Sequence, residues 1–370
     1  MKAPRKGQER YAVVVLGAGP AGSATALKLL ARKPNLPVLL VERSDFDRPR
    51  IGEALHPGVE ASLRELGAWD AFLAEPHLPA YGTRAIWGSD EPIENEFLFH
   101  RNRRGWHLDR TRFDAMLARL AEQRRADLVT ASRLYSHERL EDGWRLTIET
   151  QGERWLCEAS LVIDATGRST AFAREQGARK AALDQLAGLF AIGSVAAEAK
   201  IDSYTLVEAW EDGWWYSSRL PENRIVFALM TDSDIVREGR LCCLEGWLAA
   251  ASSCPHTGAR LHQAELEGSP ILHAASSHRL EPPVGDGWLA VGDAALALDP
   301  LSSGGIQLAL RSGMFAARAA EDFLQGNSAG LAKYRSFLAA EHAGYLMART
   351  DVYGRETRFA GSAFWERRRG

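Results

Sequence analysis

Gly17-Ala-Gly19-Pro20-Ala21-Gly22 follows the apolar run Tyr11–Leu16 and opens the helical-looking stretch Ala21–Ala31. Strand, glycine turn and helix in that order are what a dinucleotide pyrophosphate requires. Gly17 permits the tight turn, Gly19 lets backbone approach the phosphates, and Gly22 lets the helix pack against the strand. The helix N-terminus then offers free N–H groups and a partial positive charge. A second apolar run, Val38–Val41, ends at Glu42, twenty residues beyond Gly22. An acid at that distance suits a ribose hydroxyl. The expected fold is α/β, with a Rossmann-like binding lobe at its start.

The chain has 370 residues, 46% hydrophobic and 25% charged, with a net charge of −3. That length accommodates two joined lobes, and the charge balance gives no reason to expect nucleic acid. The clusters Arg101–Arg104 and Arg367–Arg369 read as solvated charge. Met1–Gly7 is basic, but no secretory apolar core follows it. No run is long enough for a membrane helix. Cys157, Cys242, Cys243 and Cys254 match neither zinc nor CxxC spacing, and no metal site is expected. A reduced, cytoplasmic setting is the default expectation.

Along the chain, Gly58–Ala74 and Arg112–Glu122 read as amphipathic helices. Arg133–Ile163 reads as three strands, and residues 186–275 are rich in strand signals. Ser303–Leu324 and Gly330–Met347 read as long helices. The expectation is a discontinuous cofactor domain (8–80, 105–180 and 280–330). An antiparallel-sheet substrate domain is interleaved with it (81–104 and 181–279), and a helical segment ends the chain (331–370). Gly285-Asp-Gly287-Trp-Leu-Ala290 also matches the glycine pattern, but Glu281-Pro-Pro283 precedes it, so it reads as a turn. No separate nicotinamide-binding domain is apparent. The reductant is then NAD(P)H bound transiently, or a partner flavin reductase.

Two further motifs narrow the dinucleotide to FAD. They are Asp164-Ala-Thr-Gly167-Arg-Ser169, and Trp288-Leu-Ala-Val-Gly292-Asp293 continuing to Leu298-Asp-Pro300-Leu-Ser-Ser-Gly304-Gly305-Ile306. With Glu42-Arg43, Arg50-Ile-Gly52-Glu53, Leu108-Asp-Arg110 and Phe113-Asp114, the chain resembles the FAD-dependent monooxygenases of the p-hydroxybenzoate hydroxylase class and their flavin-dependent halogenase relatives over nearly its whole length. The resemblance implies that Gly17, Gly19, Pro20, Ala21, Gly22 and Glu42 bind the ADP half. It sets Arg43 and Arg110 near the pyrophosphate or ribityl, and Gly292-Asp293 at the ribityl. Gly52-Glu53, Pro300, Gly304, Gly305 and Ile306 would border the flavin. Asp164, with Gly167, is either a ligand or a turn residue.

Halogenation needs a lysine and a glutamate that this chain lacks. Ser302 stands at the glutamate position, and Tyr81–Trp87 offers only Arg84, which stays protonated. The Trp-x-Trp-x-Ile-Pro signature is replaced by Gly213-Trp-Trp-Tyr-Ser-Ser-Arg-Leu-Pro221. Trp87-Gly-Ser89, Gly105–Arg110, Gly213–Ser217 and Phe364-Trp-Glu-Arg-Arg368 look most like the flavoprotein maturases of tryptophylquinone-type amine and amino-acid oxidases. That resemblance implies O2-dependent hydroxylation of a Trp or Tyr side chain in a partner protein, the precursor of a quinone-cofactor oxidase. Small-molecule aromatic hydroxylation, halogenation, geranylgeranyl-type reduction and a non-catalytic FAD-binding chaperone are the alternatives. Trp87, Trp106, Trp214, Trp215 and Tyr216 fall on strands expected to roof the flavin, where they could sandwich an aromatic guest. His56, His107 and Glu53 are the polar groups expected nearest the flavin face, where a general base would help; each stands against a plain structural role, which for Glu53 is ordering its loop.

Overall fold

The Arg10–Leu16 strand lies in the middle of an eight-stranded sheet. It pairs in parallel with Val38–Val41 on one side and Glu153–Asp164 on the other. Asp127–Val129 and Trp288–Ala290 extend the parallel array outward. Strands covered on both faces must be apolar throughout, and Val38–Val41 is buried at every position. The computed structural model describes residues 10–369, so Met1–Gly7 lies outside the described residues. Helix Pro20–Arg32 crosses helix Gly305–Leu324 in near backbone contact. A Cβ on Gly313 would fall 2.5 Å from the Ala21 carbonyl oxygen. Sequence reading passed over Gly313, because a glycine inside a helix carries no sign of which helix crosses there.

The second sheet also has eight strands. Its main path runs Ala264–Leu266, Leu186–Val195, Arg224–Asp232, Gly213–Leu220, Tyr204–Trp210, Gly82–Ile86 and Ile93–Glu96. It is antiparallel except where Gly82–Ile86 meets Tyr204–Trp210 in parallel. Those two strands come from separate insertions, so no hairpin joins them. The expected single helix Gly58–Ala74 is two, Val59–Glu65 and Trp69–Leu73, separated at Gly67, whose φ of +60° ends the first. Gly285–Trp288 is a hairpin turn, as its flanking prolines suggested.

The last helices close the seam between the sheets. Ala329–Gly354 runs past the length expected from its periodicity, and Ala363–Arg369 follows it. Phe364, Trp365 and Arg368 share the buried face of that final helix. Arg368 is therefore not solvated tail charge, while Arg367 is exposed and ion-paired. Arg368 is buried and donates to both Asp232 oxygens at 2.6 and 3.1 Å. Arg367 bridges Asp232 and Asp234 at 2.9 and 2.6 Å. No helix among the described residues is long and apolar enough to cross a membrane.

Candidate cofactor cleft and active site

The three fingerprint glycines do different work. Gly17 has φ +110°, and a Cβ there would sit 2.3 Å from the Ala165 carbonyl oxygen. At Gly22 a Cβ would meet the Gly17 carbonyl oxygen at 1.9 Å. At Gly19 it would meet nothing within 4 Å. Gly19 thus faces open space at the N-terminus of helix Pro20–Arg32, where Pro20 has no N–H and the next residues present theirs. Ala21 packs against the Gly292 turn, since a Cβ on Gly292 would reach its methyl at 2.7 Å.

Glu42 is buried, and its carboxylate accepts from Ala18 N at 2.9 Å, Ser44 Oγ at 2.7 Å and Arg50 Nη2 at 2.9 Å. Arg50 also reaches Asp114 at 2.7 Å. Although burial opposes its charge, Asp114 and Glu42 hold the Arg50 guanidinium above its ordinary pKa. Arg110 grips the other side of Asp114 at 3.1 and 3.2 Å and donates to the Ile51 and Gly52 carbonyls at 2.7 and 3.1 Å. The Arg50–Glu53 loop is therefore pinned to the cofactor lobe through Asp114. Arg43, expected near the pyrophosphate, is exposed and held by no hydrogen bond or ion pair. Arg50 is the arginine that pairs with Glu42.

On the flavin side, Asp164 is a turn residue. Its oxygens accept from Thr166 N, Thr166 Oγ1 and Ala173 N at 3.0, 2.6 and 2.8 Å, which leaves the carboxylate turned inward. Gly167 follows with φ +64° and open space at its Cβ position. Asp293 is one-third exposed beside Arg168 at 3.3 Å and remains open to a hydroxyl ligand. The Asp299–Gly305 loop is tied down residue by residue. Asp299 accepts from Leu301 N at 2.9 Å, Ser302 Oγ donates to Asp299 O at 2.8 Å, and Gly304 N donates to Ser302 Oγ at 3.2 Å. Ser302 is thus a loop staple. Gly305 begins a 20-residue helix with nothing within 4 Å of its Cβ position, and buried Ile306 anchors that end.

Sequence reading missed what holds this loop from behind. Tyr353 donates to Asp299 Oδ2 at 2.8 Å, and Trp214 Nε1 donates to Tyr353 at 3.1 Å. The Tyr345 hydroxyl accepts from Asp299 N at 3.2 Å. All four side chains are buried. Tyr353→Phe should leave two buried polar atoms unpaired and lower stability by about 1–3 kcal/mol in urea titration.

The expected aromatic roof is only partly assembled. Strand side chains alternate, so Trp214 and Tyr216 share the inner face while Trp215 turns outward onto Trp247 at 4.9 Å between ring centroids. Trp106 packs against Trp69 and Phe72 in the cofactor-lobe core. Trp87 lies under the C-terminal helices, against Tyr353 and Trp365, with its Nε1 donating to Val352 O at 2.8 Å. Trp214 and Tyr216 stay together on the inner face of the sheet, in one cluster with Trp87 and Tyr353. Ile51 and Leu301 pack against the cluster that holds them, which joins the inner face to both flavin-side loops.

Neither candidate histidine is placed as a base. His56 is exposed, with Nδ1 accepting from Gly58 N at 3.2 Å and its ring against Phe97 and His100. His107 is fully buried, with Nε2 at 3.0 Å from Thr205 Oγ1. Burial pushes His107 and His77 down to about 4 from an ordinary 6.5. Both are neutral in the folded protein at pH 7. Their contribution is complete above pH 6.5 and is lost as pH falls toward 4, by up to roughly 3 kcal/mol each. Urea midpoints should drop between pH 7 and 5, and His107→Gln should shallow that slope.

Two helix N-termini, the open space at Gly19, a fixed Glu42 and an available Asp293 fit FAD. Fold and cleft together define a flavin-dependent oxidoreductase. A family model described as "FAD binding domain" matches residues 10–337, and the chain belongs to that family. It is 31% identical over 97% of both chains to the putative FAD-dependent oxidoreductase LodB of Marinomonas mediterranea. It is 27% identical to a 1H-pyrrole-2-carbonyl-[peptidyl-carrier protein] brominase of Pseudoalteromonas luteoviolacea, over 86% of this chain and 79% of that one. The peptidyl tryptophan dihydroxylase QhpG, essential for tryptophylquinone cofactor biogenesis, superposes with TM-score 0.79 at 25% identity, over 98% of this chain and 79% of its own. The halogenase CmlS superposes with TM-score 0.85 at 25% identity, over 99% of this chain and 68% of its own.

Proposed function

We propose that this chain is an FAD-dependent monooxygenase that hydroxylates a Trp or Tyr side chain of a partner protein, the precursor of a quinone-cofactor oxidase. The observation that carries this reading is the inner face bearing Trp214 and Tyr216, joined by Ile51 and Leu301 to both flavin-side loops. QhpG, whose name states action on peptidyl tryptophan, has the same fold over nearly all of this chain. FAD, when bound and reduced by NAD(P)H or a partner reductase, would supply the O2 activation. The residues would divide the work simply. Gly17–Gly22 and Glu42 hold the ADP half, and Asp293 takes a ribityl hydroxyl. The amides of Gly305 and Ile306, at the start of the helix, would be available to a polar edge of the flavin. Trp214 and Tyr216 orient the guest ring and exclude water. The segments 8–80, 105–180 and 280–330 form the cofactor domain in this reading, and the setting is cytoplasmic.

Halogenation has relatives in its favour, but the side chains argue against it. Arg84 is engaged by Glu94 and Asp202 at 2.8 and 2.7 Å, and Ser302 by its own loop. The test follows flavin reduction by NAD(P)H and then reoxidation in air with N-acetyl-tryptophan amide or a Trp-bearing oxidase precursor, with and without bromide. Oxygenated product indifferent to bromide is expected. Brominated product would establish halogenation instead.

A further inference from the structure

Glu53 has no task in cofactor binding that its surroundings explain. Its side chain is buried, and Oε1 has no hydrogen-bond partner. The backbone fixes it in place, because Leu108 N donates to Glu53 O at 2.9 Å and the preceding Gly52 sits at φ +92°. The groups facing the carboxyl are the backbone amides of Glu53 and Gly52, the Ser218 hydroxyl and the Tyr216 phenol from the second sheet, and Arg110 from the cofactor lobe. Arg110 is already occupied by both Asp114 oxygens and two carbonyls, so it does not pair with Glu53. Behind Ser218, its Oγ donates to Thr205 Oγ1 at 3.2 Å, and Thr205 meets His107 at 3.0 Å. A buried carboxyl with a bare oxygen is costly. Such groups are kept at sites where a proton is handled. Burial raises its pKa above the ordinary carboxylate value, which suits a group that must accept a proton.

We propose that Glu53 is the proton acceptor of the hydroxylation, with the Tyr216 phenol steering its carboxyl toward the guest ring. This rests on the monooxygenase reading above. One atom of O2 bonds to the ring carbon, and that carbon releases its hydrogen as a proton to the Glu53 carboxylate. The C–H electron pair returns to the ring. Reduced FAD supplies two electrons and two protons: one proton ends on the first oxygen as the product hydroxyl, and the other, with the proton passed on from Glu53, converts the second oxygen atom to water and restores the Glu53 carboxylate. Ser218, Thr205 and His107 are positioning residues behind Glu53.

The test uses the FAD-loaded protein with a Trp-bearing oxidase precursor whose indole rings are deuterated, and compares wild type with Glu53→Gln and Glu53→Asp. In Glu53→Gln, FAD content and anaerobic reduction rate should stay within about twofold. Oxygenated product should fall about 100-fold or more, with peroxide released in its place. Ring deuteration should slow product formation in the variant and not in wild type, and Glu53→Asp should recover part of the rate. Glu53→Gln hydroxylating at the wild-type rate overturns the proposal. So does loss of activity in Glu53→Gln and Glu53→Asp alike that tracks loss of FAD. A wild-type enzyme that makes only peroxide overturns the monooxygenase reading itself, and the acceptor role with it.

Discussion

Gly19→Val should empty the protein of FAD while leaving the apoprotein as stable as before. The two effects separate because of where the new side chain goes. A Cβ at Gly19 meets nothing within 4 Å beyond its chain neighbours, so the side chain would enter the space proposed for the cofactor. FAD affinity should fall at least about 100-fold, or about 3 kcal/mol. The melting temperature measured without cofactor should hardly move, as expected of a substitution that makes no new contact in the fold. Gly22→Val is the contrast. Its Cβ would overlap the Gly17 carbonyl oxygen at 1.9 Å, so the apoprotein itself should be destabilised. Flavin titration and thermal unfolding of both apoproteins check the pair. Equal loss of apoprotein stability in both would remove the case for an open cradle at Gly19.

Arg368→Ala should cost about 3–5 kcal/mol, because it strands the carboxylate of Asp232 in the seam. Both partners are 1% exposed at the side chain. Arg367 still reaches Asp232 at 2.9 Å, which sets the expectation toward the lower end. Arg368→Met keeps an apolar stem but loses the guanidinium that lies over Phe364, and should cost about as much, since the uncompensated charge is the larger part. Double substitution with Asp232→Asn should return some of the loss. Urea unfolding of the single and double variants measures this. A loss in Arg368→Ala no larger than that of an exposed arginine would mean that the final helix does not close the seam.

The cofactor lobe was legible because its signals are local. Tyr11–Leu16, the three glycines and Glu42 lie within one continuous segment, and each glycine's role follows from backbone sterics. The Asp299–Gly305 loop was legible as a small-residue turn before a helix. The residues that hold it were not, because Tyr345 and Tyr353 arrive from a helix some fifty residues later. The aromatic roof was over-read for a simpler reason. Trp214, Trp215 and Tyr216 are consecutive on one strand, and a period of two forbids all three from facing one guest. Trp106 and His107 divide in the same way, Trp106 toward Phe72 and His107 toward Thr205. Arg368 looked like part of a solvated tail because the acid that buries it, Asp232, lies more than one hundred and thirty residues away.

The most direct test of the central claim is intact-mass analysis of a Trp-bearing oxidase precursor after incubation with the FAD-loaded protein, a reductant and heavy-isotope O2. Uptake of heavy oxygen into the indole, dependent on flavin and indifferent to bromide, is the predicted result. An unmodified polypeptide, with all consumed oxygen recovered as peroxide, would contradict it.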